Sequence, residues 1–229
     1  MAKRIIINES QLDVIAKSLN EAALPSFNLD ELSNINSFRG KQQYCVQNLG
    51  KPIGNGSSRQ VFQIDDEKVL KLAKNNKGLA QNEYEGQDDY YKESLSIFPK
   101  VFDKANDYSW LISEYVLPAK EKDFQHCLGM TFKEWRSVIR AIEMNCRWPV
   151  KKLYWIQPME KEKFWELCDN NETVYEFNDY IGSYDTVQVG DLYAIQNYGL
   201  ALRNNQPQIV IIDSGLSEEI WNTHYNKQR

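Results

Sequence analysis

Histidine and cysteine are scarce in this 229-residue chain: two histidines, and four cysteines at Cys45, Cys127, Cys146 and Cys168. No two cysteines form a CxxC pair, so the ligand spacing of a structural zinc site is missing. His126 and Cys127 are adjacent, but neighbours on one backbone seldom converge on one metal, and a buried thiol is the simpler reading. Scattered cysteines suit a reducing compartment. Long apolar runs are missing too, and no stretch approaches the roughly 20 residues of a membrane-spanning helix. The start, MAKRIIINES, has only three apolar residues after its basic end, too few for a signal peptide. There is no lipidation motif. These absences predict a cytoplasmic chain with no membrane partner. Internal repeats and low-complexity tracts are also absent.

The composition that remains is that of a globular protein, 42% hydrophobic and 26% charged, and at this length it can bury one sizeable core or two small ones. A net charge of −5 argues against non-specific binding of nucleic acid, though not against a local basic pocket.

Along the chain, Arg4–Ile7 reads as a short strand and NESQLDVIAKSLNEAAL as a helix, with Ser10 and Asp13 as a capping box and Pro25 ending it. NLDELSNI reads as a second helix capped by Asn28. Residues 1–44 thus form an extension beside the main body. From Cys45 the pattern predicts strands: YCVQNLGKPIG, RQVFQID and, after the turn DDEK, VLKLA. NNKGLAQNEYEGQDDYYKES reads as a helix, and FPKVFDKAND and YSWLISEYV as two further strands. Residues 45–118 are therefore expected to form a five-stranded antiparallel sheet with a helix inserted after the third strand. Residues 119–182 are mainly helical in pattern. The clearest helix is TFKEWRSVIRAIEMNC, with Phe132, Trp135, Val138, Ile139 and Ile142 in one stripe and Thr131 and Glu134 as a capping box. EKEKFWELCDN is another helix. From TVQVGDL onward the chain returns to short strands, YGLALRN and QIVIIDSGL around NNQP, and SEEIWNTHY closes it as a helix. The fold class is α+β.

Between the first two expected strands lies Gly54-Asn55-Gly56-Ser57-Ser58. By itself a Gly-Asn-Gly turn marks a hairpin, because these residues supply positive φ; a loop that holds a phosphate is the other reading. Residues further along the chain shift the balance. Lys71 stands inside the apolar strand VLKLA, where a side chain facing a cleft needs an anion. Glu83 lies on the next helix, with Glu85 nearby. Glu114, Tyr115 and Val116 end a strand just before the composition changes. Asp191 and Asn197 come much later, and the buried strand IVIID runs out into Asp213-Ser214-Gly215.

This order resembles the protein-kinase-like superfamily, over roughly residues 46–118 and 187–216. GNGSSR-VF, QNE-E and GDL…YGL…IVIIDSGL are also similar to short kinase-like proteins encoded by bacteriophages. The resemblance implies a bilobal fold, with residues 45–118 as the N-lobe and 119–229 as a reduced C-lobe. It implies a nucleotide partner, with ATP and Mg2+ as cofactors. Gly54, Gly56, Ser57 and Ser58 would cover the phosphates. Lys71 would hold them, positioned by Glu83 or alternatively Glu85, and the backbone from Glu114 to Val116 would bind adenine. Asp213, helped by Asn197, would carry the metal, and Asp191 would take the proton of an attacking hydroxyl.

Departures from the pattern accompany the matches. Arg59 stands where the third glycine of GxGxxG belongs. Val189-Gly190 replaces the His-Arg before the catalytic aspartate, the Asp–Asn spacing is one residue longer, and DFG has become DSG. Only 14 residues come after Gly215, too few for an activation segment. Taken singly, Asp213 and Asn197 also read as turn or capping residues. The sequence therefore supports a phosphotransferase acting on a small molecule or a partner-protein hydroxyl, with an inactive kinase-like binding or virion-assembly module as the alternative and AMP transfer as a third. The aromatic residues of 147–184, namely Trp148, Tyr154, Trp155, Phe164, Trp165, Tyr175, Phe177, Tyr180 and Tyr184, read as the core of a helical lobe, or some of them as lining a substrate or protein-partner surface.

Overall fold

The computed structural model describes residues 27–87, 94–146, 156–183, 189–215 and 217–225; the strand and helix expected before Pro25 lie outside them. Asn28 caps the first described helix, α1 (Leu29–Ser33), by accepting from the amides of Asp30 and Glu31 at 2.8 and 3.2 Å. Next comes α2 (Phe38–Leu49), capped by Ser37 and ended by Gly50 at φ 83°. This corrects the strand expected at YCVQNLGKPIG. The aromatic and β-branched residues of YCV suggested a strand. However, Lys41 and Cys45, four residues apart, share the buried face of a helix. The Lys41 ammonium donates to the carbonyls of Leu32 and Ser33 at 3.1 and 3.2 Å, in the last turn of α1, where carbonyls lack a full set of intrahelical partners.

The main sheet has five strands, all neighbours antiparallel: β1 (Gly54–Asn55), β2 (Arg59–Gln63), β3 (Lys68–Ala73), β4 (Val101–Lys104) and β5 (Trp110–Glu114), in the order β1-β2-β3-β5-β4. The expected insertion is present, since α3 (Asn76–Glu85) comes after β3. Alternation along β3 assigns its two faces. Leu70 and Leu72 pack with Phe62, Trp110 and Ile112 against Leu32 and Cys45, so α1 and α2 cover one side of the sheet. Lys71 points to the other side, toward α3, whose Asn82 amide donates to the Lys71 carbonyl at 3.2 Å and that of Tyr108 at 2.9 Å.

The remainder is helical, with a small second sheet. α4 (Glu121–Leu128), α5 (Phe132–Cys146), α6 (Lys161–Asn170) and α7 (Glu172–Ser183) precede a 3-10 segment (Val189–Tyr193), where strands were expected to resume. The capping box expected at α5 is formed: Thr131 Oγ1 accepts from the Glu134 amide at 3.2 Å, and the Glu134 carboxylate from the Thr131 amide at 2.7 Å. β6 (Leu117–Pro118), β7 (Tyr198–Arg203) and β8 (Gln206–Ile211) form the three-stranded sheet. The β7–β8 hairpin turns at Asn204 and Asn205, both at positive φ (50° and 62°), as a tight hairpin turn requires. α8 (Glu218–His224) comes last. The second core gathers Phe124, Trp135, Phe164, Phe177, Tyr180 and Tyr198. Of the aromatic residues of 147–184, Phe164, Phe177 and Tyr180 are thus core, and Trp165 and Tyr175 are exposed. Trp148, Tyr154, Trp155 and Tyr184 lie outside the described residues. Among the described residues, no helix is long and apolar enough to cross a membrane.

Candidate functional site

Four segments meet at the end of the main sheet. Lys71, on the central strand, forms a buried ion pair with Glu85 of α3, and its ammonium also donates to the Ile212 carbonyl at 2.9 Å. The partner expected at Glu83 is therefore Glu85, the alternative. At 100° per residue, positions 83 and 85 fall on opposite faces of the helix, and Glu83 is exposed. Arg59, read only as a missing glycine, is the residue that sequence reasoning overlooked. Its guanidinium is buried and bonds Glu85 at 2.6 Å and Asn82 Oδ1 at 3.2 Å, and it pairs with Asp213. Strand alternation was the available signal: Arg59 faces Ala73 and Val61 faces Lys71, so Arg59 and Lys71 share a face.

Glu85 thus lies between two cations. Burial alone would raise its pKa, but Lys71 and Arg59 outweigh it and hold the carboxyl at about 2. Burial likewise works against the Arg59 charge, and Glu85 and Asp213 outweigh it and raise that pKa. Asp213 is half exposed, with 51% of its side chain open to solvent.

Asp191 and Asn197 reach the same place. The Asn197 side-chain amide donates to the Asp191 carbonyl at 2.9 Å, and the Asn197 carbonyl accepts from the Ile212 amide at 2.9 Å. This ties the 3-10 segment to the end of β8, one residue before Asp213. Gly199 permits the approach, since a Cβ there would lie 2.5 Å from Ile212 and 2.7 Å from Val116. Burial first, and then the nearby Asp213 charge, pushes the Asp191 carboxyl up to about 6. Asp191 and Asp213, close enough for the charge of one to act on the other, are hard-oxygen donors of the kind a Mg2+ ion takes. Among the described residues, no three His, Cys, Asp or Glu side chains converge as a metal cage. A cation here would therefore need oxygens from a bound ligand.

The glycine loop turns between β1 and β2 with the Gly56 amide donating to the Arg59 carbonyl at 2.9 Å. Positive φ does not explain its glycines, for Gly54, Asn55 and Gly56 all lie outside that region. A Cβ on Gly56 would meet its nearest atom at an ordinary 3.7 Å, so neither backbone nor packing demands glycine there. The carbonyls of Gly56, Ser57 and Ser58 accept from Lys74 Nζ, the Asn75 side chain and the Lys74 amide at 2.8, 3.1 and 2.8 Å. The Ser58 hydroxyl turns inward to Gln81, which removes it from the expected phosphate-facing set; Ser57 stays exposed.

At the expected adenine edge, Glu114 is committed elsewhere. Its carboxylate receives two bonds from Arg203 at 2.8 Å each, and its amide donates to the Lys100 carbonyl at 2.8 Å. The Tyr115 amide donates to the Glu67 carbonyl at 2.7 Å. Among the described residues nothing takes the Val116 amide. Of the three, Val116 is the one able to meet a ligand through its amide.

No protein-family model matches the chain, and no curated protein matches it in sequence.

Proposed function

We propose that this chain is a kinase-like phosphotransferase that binds ATP with Mg2+ where Lys71, Asp191, Asn197 and Asp213 meet. The observation that carries the reading is the buried Lys71–Glu85 pair, with its ammonium on the carbonyl that precedes Asp213. An ion pair at that depth is weak as a stability device, whereas a lysine oriented by a helix carboxylate is what a polyphosphate site uses. Lys71 holds the phosphates, Gly56 leaves room above the loop, and the Val116 amide meets the base. Asp213 and Asn197 supply oxygens to the cation, which neutralises phosphate charge when bound. Asp191, at about 6, takes the proton from an acceptor hydroxyl near neutral pH. The acceptor is a small molecule or a partner-protein hydroxyl.

A second reading, an inactive kinase-like binding module, draws on the Arg59–Asp213 pair, which engages the metal-binding carboxylate with a resident cation. Calorimetric titration with ATP, with and without Mg2+, on the wild type and Asp213→Ala decides between them. Mg2+-dependent binding that the variant loses supports the phosphotransferase. No binding at millimolar ATP refutes it and leaves the inactive module.

A further inference from the structure

We propose that Arg59 is a resident cation that excludes free divalent metal from Asp213, so that the site accepts metal only together with a polyphosphate. This rests on the reading of Asp213 as a cation-binding carboxylate, but it concerns how that cation enters. The guanidinium lies between Glu85 and Asp213 and bonds both, with Asn82 Oδ1 fixing its plane. The charges of Lys71, Arg59, Glu85 and Asp213 sum to zero, so these four groups are balanced with no metal present, and Asp191 is the further carboxylate near Asp213. A divalent ion approaching Asp213 alone would have to displace the guanidinium and would find too few protein ligands, since no three-residue cage exists among the described residues. A polyphosphate changes both conditions. Its oxygens attract the guanidinium, for which a planar fork on phosphate is a favoured partner, and they complete the cation's coordination. Asp213 is exposed enough to exchange partners without unfolding anything, whereas Glu85 is buried and stays with Lys71.

The linkage is reciprocal: whatever loosens Arg59 from Asp213 raises metal affinity, and by the same factor metal loosens Arg59. The test uses Mn2+ alone, with no nucleotide, tracking free Mn2+ by electron paramagnetic resonance during titration of the wild type, Arg59→Gln and Arg59→Lys. Arg59→Gln is expected to bind Mn2+ at least tenfold more tightly than the wild type, and adding Asp213→Asn should abolish the gain. Arg59→Lys keeps the charge but cannot bond Glu85 and Asp213 together, so a smaller gain is expected; it also serves if the glutamine variant does not fold. Equal Mn2+ affinity in the wild type and both variants overturns the proposal while leaving ATP binding to be judged by its own titration. An Arg59→Gln variant that gains Mn2+, with a wild type that never binds ATP, upholds the role of Arg59 and refutes the phosphotransferase.

Discussion

Replacing Glu85 with glutamine removes the anion that lies between two buried cations. Glu85 is held at about 2 against an ordinary 4.5, which at about 1.4 kcal/mol per pH unit is worth about 3 kcal/mol. Removing one member of a buried ion pair costs about 3–5 kcal/mol. The lower end applies, because Arg59 keeps Asp213 and Lys71 keeps the Ile212 carbonyl. For a chain of this size about 3 kcal/mol lowers Tm by about 6–12 °C. The pH dependence is set by the sign of the shift. The folded pKa is depressed, so the stabilisation is fully present above 4.5 and is lost as pH falls toward about 2. Urea unfolding of wild type and Glu85→Gln at pH 7 and pH 3 measures it, since other titrating carboxyls largely cancel in the difference. The gap at pH 3 should be less than half that at pH 7. A gap under about 1 kcal/mol at pH 7, or one that does not change with pH, would refute the placement of Glu85 between its cations.

Asp191→Asn should stabilise the fold while removing the proposed base. The folded pKa is raised, so the charged form is penalised above about 6, and the penalty vanishes below the ordinary 3.8, where the group is protonated in both states. Tm of the variant should exceed that of the wild type at pH 7.5, and the two should converge at low pH; a wild type as stable as the variant at pH 7.5 counts against the burial of Asp191. Gly78→Ala should destabilise by about 1–3 kcal/mol, although alanine is the better helix former. The added Cβ would lie 2.3 Å from the Ser58 carbonyl oxygen and 3.0 Å from Ala73 Cα, both backbone atoms that cannot easily move. Thermal unfolding reads this directly, and a variant with raised Tm would show that the loop does not press on α3.

The order of elements was legible because it rests on local signals. Alternation in RQVFQ and VLKLA, the cap at Asn28, the box at Thr131 and the paired asparagines of the β7–β8 turn each act within a few residues. The α2 helix was not, because YCV is strand-like in composition and the burial of Lys41 depends on the last carbonyls of α1. The site was legible as a sequence of residue types and illegible as a set of partners, and α3 shows why. Its buried residues are Gly78, Gln81, Asn82 and Glu85, at i, i+3, i+4 and i+7, the spacing of an amphipathic helix. Periodicity analysis looks for apolar residues at that spacing and finds none. Here the stripe is polar, because it faces a sheet that presents Ser58, Arg59 and Lys71 rather than leucines. Each polar side chain of the stripe has a bond that replaces apolar contact: Gln81 to Ser58, Asn82 to the Lys71 and Tyr108 carbonyls, Glu85 to Lys71 and Arg59. A helix buried through a polar stripe gives up hydrophobic stabilisation along that face. The face of α3 is therefore better explained by the charges it orients than by the stability it contributes. Moving the pairing to Glu83 would turn the helix by about 160° and bury none of these bonds, which is why the choice between the two glutamates is decided by Gly78, Gln81 and Asn82 and not by either glutamate.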